Sequence, residues 1–258
     1  MLLAYDDEGP GRVVVLLHGF PLDRTMWEYQ TTTLGSLYRV IAPDLRGHGE
    51  TAAPEGIYPI EDMAEDVIEL LDALKIAEPI VLGGLSMGGY VALAIAVKHP
   101  KRLRGLMLMD TRAGADSFEA SQGREALARR VEAEGSAEPA VSAMLPRLFS
   151  EWSRQNRADI VARVHERMLR TPARAVAGAL RGMAARPDRT GDLGRIAVPT
   201  LVLVGADDAL TPPSEAKAMA EAIPNARLVE IPDAGHLAPL ENPTAANAAI
   251  LKFLESLA

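Results

Sequence analysis

Short apolar runs alternating with helix-period segments constrain this chain more than any other feature. Runs at 13–17, 39–42, 79–82, 105–109, 199–204 and 227–231 are dense in Val, Leu and Ile without strict polar alternation. That is the pattern of parallel strands buried on both faces. Helical patterns lie between several of them, at 60–74, 87–99, 214–222 and 244–257. In the first, Met63, Val67, Leu70, Leu71 and Leu74 recur at helical spacing; the second is nearly all apolar and stops at Pro100; the last follows a helix-initiating Pro243. Strand alternating with helix predicts βαβ units, right-handed crossovers and a mostly parallel sheet, an α/β fold. Residues 2–5 are a candidate edge strand.

The alternation breaks between 116 and 194, where no strand-like run occurs and helices are predicted at 118–134, 139–149, 157–169 and 172–184. An all-helical block inserted between two core strands reads as a cap, giving a core of 1–115 and 195–258 and a cap of 116–194. From Arg124 to Arg189 there are 13 Arg and no Lys against 8 acidic residues, a net of +5 in a chain whose formal total is −8. Two readings of this excess stand: solvated faces of amphipathic helices, or a basic lid that draws anionic substrates. The overall negative charge disfavours nucleic acid as a partner. With no cysteine, disulfides, thiolate metal sites and a Cys nucleophile are excluded together. The first nine residues lack an apolar h-region, and the longest apolar run, 91–97, is far below the ~18 residues of a membrane span. A soluble, cytoplasmic protein without a membrane partner is the expectation.

The sharpest motif is Gly84-Leu85-Ser86-Met87-Gly88, set between a predicted strand and a predicted helix. A Ser in such a turn takes a strained backbone, and the flanking glycines let neighbouring chain approach closely. Its hydroxyl then stands above the sheet's carboxyl edge at a helix N-terminus, where free N–H groups favour a developing anion. A glycine-rich packing turn is the reading without chemistry.

In this context the chain resembles the α/β-hydrolase superfamily over nearly its whole length. His18-Gly19-Phe20-Pro21 is similar to the family's oxyanion loop, and Asp44-Leu45-Arg46-Gly47-His48-Gly49 to the loop after the next strand; Thr51 stands where a Ser is common, so the hydroxyl survives. A Ser hydroxyl needs a base. Of five histidines, His18 and His48 sit in those loops, His99 closes a helix and His165 lies in a cap helix. His236, between the last strand and the last helix, is where the resemblance places the catalytic base. The acid that orients it falls by family spacing on Asp208, with neighbouring Asp207 expected in solvent and Asp110, after the preceding core strand, as the rival. The same resemblance places the oxyanion donors at the backbone N–H groups of Phe20 and Met87. Phe20, Trp27, Met87 and Leu237 are candidates for lining an acyl pocket, each being also an ordinary core residue.

His18 to Asp23 with Met26-Trp27, together with 83–90, is most similar to bacterial carboxylesterases active on small esters and also to 3-oxoadipate enol-lactonases. The resemblance implies a serine carboxylesterase acting on small-molecule esters, with a lactonase or cofactor-free perhydrolase as alternatives. A non-catalytic ligand sensor is the reading from another class, opposed by the presence of nucleophile, base and acid together. Haloalkane dehalogenases and epoxide hydrolases carry Asp at the nucleophile position, where this chain has Ser86. No metal or cofactor is expected: there is no H-E-x-x-H, and the spacing of Gly83-Gly84 and Gly88-Gly89 is not a dinucleotide fingerprint.

Overall fold

The structure is a computed structural model that describes residues 1–257. Its strands are β1 (Tyr5–Glu8), β2 (Val13–Leu17), β3 (Arg39–Pro43), β4 (Ile80–Leu85), β5 (Leu103–Met109), β6 (Thr200–Gly205) and β7 (Ala226–Ile231). They form one sheet in the order β1-β3-β2-β4-β5-β6-β7, parallel throughout except for β1, which pairs antiparallel with β3. Every residue of β2, β4 and β6 is buried. Helices on both faces require this, and Val, Leu and Ile runs meet it. At the edge, every residue of β7 except Ile231 is partly or fully exposed.

The chain places β3 on one side of β2 and then returns to place β4 on the other. Strand order reverses there, and the crevice beyond the carboxyl ends of β2 and β4 is where open α/β sheets bind ligands. The edge strand lies at Tyr5–Glu8 rather than at 2–5. The residues before it serve another purpose: Leu3 is buried, while Ala4 donates its N–H to the Thr51 hydroxyl and accepts from the Asp44 N–H.

Core helices are α1 (Glu28–Leu34), α2 (Ile60–Ala73), α3 (Met87–Lys98), α9 (Pro213–Ala222), α10 (Ala238–Glu241) and α11 (Pro243–Glu255). Between β5 and β6 are inserted α4 (Phe118–Glu134), α5 (Glu138–Leu148), α6 (Glu151–Asn156), α7 (Ala158–Arg170) and α8 (Ala173–Ala184). Thus α6, capped by the Ser150 side chain, adds a fifth helix to the four expected. Helix α1 was also not predicted. Its Thr31, Thr32 and Thr33 are poor helix formers, yet each hydroxyl bonds back to a carbonyl one turn earlier, and Leu34 and Gln30 bury against the core. No described helix is long and apolar enough to cross a membrane.

Within the insertion α4 packs along α8, and Arg181 of α8 bridges Glu125 and Glu132 of α4 at 3.0 and 2.5 Å. Arg129 and Arg130 pair with Glu125 and Glu134 one turn away. Much of the arginine excess is thus taken up in surface ion pairs, individually worth about 0–1 kcal/mol. One pair is different. Arg186 and Asp116 meet at 2.7 Å with side chains only 3% and 2% exposed. The Arg186 guanidinium also donates to the carbonyls of Met183 and Gly114 and stacks 4.2 Å over the Tyr90 ring, which fastens the end of α8 to the core.

Removing one partner of a buried pair strands the other's charge. Asp116→Ala should therefore destabilise the fold by about 3 kcal/mol, read as a shift of the urea midpoint. Burial opposes ionisation of Asp116, but Arg124 and Arg186 outweigh it and hold the carboxyl below its ordinary 3.8. A depressed carboxylate contributes stability that is present above the unfolded pKa and lost as pH falls through the folded one. Asp116→Asn should accordingly flatten the acid limb of the stability profile below about pH 4; an unchanged limb would count against this pair as an anchor.

Candidate active site

Ser86 is the residue between β4 and α3, held at φ 53° and ψ −112°, a conformation that side chains rarely adopt. Close packing on both sides fixes it there. A Cβ on Gly84 would stand 2.1 Å from the carbonyl oxygen of Gly88, and one on Gly88 would stand 2.3 Å from that of Leu17. Only glycine lets the start of α3 nest this tightly on the end of β2. From the other side, the Ser86 N–H donates to the Met109 carbonyl at 3.0 Å, and the Thr111 hydroxyl donates to the Ser86 carbonyl at 2.9 Å.

His236 comes from the loop after β7. Its Nε2 is 2.8 Å from Ser86 Oγ, and its Nδ1 is 2.9 Å from Asp208 Oδ2. A carboxylate only accepts, so Nδ1 carries the proton, and Nε2 is left to accept from the serine hydroxyl. Asp208 Oδ1 accepts the N–H groups of Leu210 and Thr211, and Oδ2 also accepts the Thr211 hydroxyl at 2.6 Å. Burial alone would raise the Asp208 pKa; the His236 charge and these hydrogen bonds more than offset it and keep the carboxyl below its ordinary value.

The other candidates from the sequence fall elsewhere. Asp207 is exposed. Asp110 is fully buried, but its oxygens accept the N–H groups of Gly205 and Ala238, and it makes no hydrogen bond to the imidazole. Burial, then repulsion from Asp208, pushes its pKa well above the ordinary carboxylate range. His18 accepts the Leu45 N–H on Nε2 and donates from Nδ1 to the Gly19 carbonyl, anchoring the loop after β2. Burial lowers its pKa to about 4, and that of neighbouring His48 to about 3, so both are neutral fasteners of loops. His99 pairs with Glu65, far along α3.

Phe20 lies in the loop after β2 and borders the same cavity as Ser86, and Met87 is the first residue of α3. Among the described residues neither backbone N–H has a hydrogen-bond acceptor, so both donors are free. Sequence reasoning missed Glu241. This buried carboxylate of α10 accepts the N–H groups of Gly235, Leu237 and Ser150, while the His236 N–H donates to the Leu148 carbonyl. It thereby ties the His236 loop to the start of α6. No short motif marks it, because its three donors span 150 to 237.

A cavity of about 350 Å³ opens over Ser86 and His236. Leu127, Met144, Leu180 and Met183 of the inserted helices form its apolar side. Trp27 and Leu237 were expected against the substrate, but both are buried in the core and neither borders this cavity. Trp27 ends the turn before α1 and fills space under it; Leu237 caps α10. A larger open groove of about 790 Å³ runs between α1 and α11, and its lining includes neither Ser86 nor His236. Among the described residues no three His, Cys, Asp or Glu side chains are grouped to hold a metal ion.

The sequence profile of the alpha/beta hydrolase fold matches residues 12–243. The chain belongs to the α/β-hydrolase family. Among solved structures, this hydrolase is similar to a thermophilic esterase from Thermogutta terrifontis with malate bound, at 47% identity and a TM-score of 0.97, covering 99% of this chain and 93% of that one. It is likewise similar to the enol-lactonase from Burkholderia xenovorans LB400, at 32% identity and a TM-score of 0.91, covering 98% and 96%. A Mycobacterium tuberculosis protein provisionally named the non-heme bromoperoxidase BpoC is 35% identical over 265 residues, 99% of this hydrolase and 98% of that protein.

Two substitutions separate the acidic groups of the site. Asp208→Asn should lower kcat on any turned-over ester by roughly 10⁴-fold, because an amide favours the wrong imidazole tautomer. Asp110→Asn should cost under about tenfold, since it removes a backbone acceptor and no partner of the imidazole; the opposite ranking would move the acid to Asp110. Glu241→Gln keeps one acceptor oxygen but turns an amide N–H toward a backbone donor, and should lower unfolding free energy by about 1–3 kcal/mol.

Proposed function

We propose that this hydrolase cleaves short-chain carboxylic esters through an acyl-enzyme on Ser86. The observation that carries the reading is the unbroken hydrogen-bond relay from Ser86 Oγ through His236 to Asp208, beneath a small, partly apolar cavity. His236 Nε2 takes the hydroxyl proton as Oγ attacks the ester carbonyl, and the oxyanion is held by the N–H groups of Phe20 and Met87. As the tetrahedral intermediate collapses, the same proton passes to the leaving alkoxide. Water then attacks the acyl-enzyme, gives a proton to His236, and the acid leaves as that proton returns to Ser86. Asp208 fixes the tautomer and balances the imidazolium throughout. The esterase from Thermogutta terrifontis, similar over nearly the whole chain, supports ester hydrolysis as the reaction.

The inserted helices act in this reading as a cap. The apolar residues of the inserted helices were expected to pack mostly on one another or the core, with some roofing Ser86. Of Leu145, Leu148, Phe149, Met168, Leu169, Leu180 and Met183, only Leu180 and Met183 border the cavity, while Leu148, Phe149 and Met168 are buried away from it, Leu145 is partly buried and Leu169 is exposed. At about 350 Å³ the space lies near the lower end of the ~300–1,000 Å³ typical of small-molecule sites. Lactone hydrolysis is the second reading, favoured by the likeness to the Burkholderia enol-lactonase; its chemistry differs only in that the leaving alcohol stays attached to the acyl group. Peroxide in place of water at the second step would give perhydrolysis, and the bromoperoxidase name of the Mycobacterium tuberculosis relative makes this worth assaying.

Ser86→Ala should fold normally, resist fluorophosphonate labelling and lose essentially all ester hydrolysis; a folded variant with near wild-type kcat would exclude the mechanism. On p-nitrophenyl esters from acetate to palmitate, kcat/KM should rise over the first carbons, by at most about 0.8 kcal/mol of binding per methylene. It should then fall where the cavity wall is met. A maximum at long chains would replace the short-ester reading with a lipase-like one.

A further inference from the structure

The arginines around the cavity divide into two groups. Arg124 borders the cavity but is paired with Asp116, which Arg186 also holds. Arg112 and Arg147 border it as well, and among the described residues neither has a carboxylate within ion-pair distance. Each leans instead on a backbone carbonyl of the Asp208 loop. Arg112 donates to the Leu210 carbonyl at 2.9 Å and Arg147 to the Ala209 carbonyl at 3.2 Å. A guanidinium has five N–H donors, so one such bond leaves most of them unspent. In Arg112 the Nε is buried without any partner. Asp116 is the single acidic side chain on the cavity wall besides these, and its charge is already taken up by two arginines. Among the residues lining the cavity, Arg112, Arg124 and Arg147 thus outnumber the single carboxylate of Asp116 on an otherwise acidic protein, Arg147 being itself exposed at the cavity mouth.

We propose that Arg112 and Arg147 form a carboxylate-binding subsite beside Ser86, so that the preferred substrates are esters or lactones bearing a carboxylate remote from the reacting carbonyl. The proposal rests on the hydrolytic reading of Ser86 and narrows it to anionic substrates. Guanidinium groups bind carboxylates by charge-assisted and often bidentate hydrogen bonds, which are stronger in a cavity partly closed to water than on an open surface. Two arginines on neighbouring carbonyls of one loop would hold the anionic end while Leu127, Met144, Leu180 and Met183 cover the methylenes between it and the ester.

The test compares monoethyl succinate with ethyl butyrate, and monoethyl glutarate with ethyl valerate, by pH-stat. Each pair matches the acyl carbon count and differs in one carboxylate. Wild type should show the higher kcat/KM on the anionic member, and raising NaCl from roughly 0.02 to 0.5 M should lower that value while leaving the neutral ester's nearly unchanged. In Arg112→Gln/Arg147→Gln the anionic-to-neutral ratio of kcat/KM should fall at least about tenfold, and Arg→Lys replacements should recover part of it. Calorimetric titration of the wild type with glutarate should show binding that weakens by a similar factor in the double variant. If both members of a pair fall together, the arginines merely brace the Asp208 loop and the proposal is overturned. It is overturned equally by a wild-type preference for the neutral esters without salt dependence, or by glutarate binding that the substitutions leave intact. Should the double variant fail to fold, the wild-type salt dependence and the Lys variants decide the matter. Arginine-dependent glutarate binding without hydrolysis of any ester would instead reject the hydrolytic reading and keep the subsite.

Discussion

The site depends on one close approach, that of the β4–α3 turn to the end of β2. Gly84 and Gly88 leave no room for a Cβ on either side of Ser86, and their absence of side chains brings the first turn of α3 onto the Leu17 carbonyl. Ser86 is thereby forced to a positive φ, a conformation that costs of order 1–3 kcal/mol and persists only where surrounding packing over-determines it. The packing here is supplied by the sheet itself. With β2 and β4 adjacent in register and the Ser86 N–H tied to the last residue of β5, three central strands hold one hydroxyl in place. What the strain secures is position: the hydroxyl stands at the point where strand order reverses, at the N-terminus of α3.

Around that turn, buried carboxylates act as brackets for loops. Asp44 accepts the N–H groups of Arg24 and Glu50, Asp110 those of Gly205 and Ala238, and Glu241 those of Gly235, Leu237 and Ser150. In each case one side chain satisfies donors that a loop leaving a sheet edge cannot pair with a ladder. The arrangement explains why Asp208 and Asp110 are so easily confused in the sequence. Both are buried acids at strand ends, but Asp110 uses its oxygens to hold β6 and α10 in place, while Asp208 turns one oxygen to the imidazole. Their environments also separate the two chemically: burial, then repulsion from Asp208, pushes Asp110 well above the ordinary carboxylate range, whereas His236 and the Thr211 hydrogen bonds offset burial and hold Asp208 below it.

What could be read from the sequence was what is local. The run at 13–17 coincides with β2, the strands after it are displaced by at most three residues at an end, and the Ser86 turn follows from five consecutive residues. Family resemblance singled out His236 and Asp208, each a few residues past a strand end, and the structure brings them within hydrogen-bond distance of each other, with His236 also reaching Ser86. The failures share a cause in long-range contact. Helix α1 forms against its threonine propensities because Gln30 reaches Asn247 and Pro239 across the fold. Glu241 collects donors from the insertion and from the His236 loop. Trp27 looks like a pocket residue from its place after the oxyanion loop, but the turn carries it under α1, where burial of so large a side chain contributes about 3–5 kcal/mol to stability.

The cavity wall is the extreme case of the same rule. Leu127, Met144, Leu180 and Met183 come from three different helices, and nothing in their local sequence distinguishes them from Leu148 or Met168, which are buried away from the cavity. Arginine is similar: of the thirteen between Arg124 and Arg189, composition counts all alike, whereas the structure pairs most with carboxylates and leaves Arg147, with Arg112 of the core, holding only backbone carbonyls at the mouth of the site. A charge excess that is neutralised side chain by side chain exerts little field beyond a Debye length. In the proposed subsite, two guanidinium groups without a carboxylate partner act where an anionic substrate would pass. In the proposed reading, reaction chemistry belongs to a short strand-turn-helix segment, and selectivity to the members of an otherwise ordinary set of side chains that remain without a carboxylate partner when the insertion folds over it.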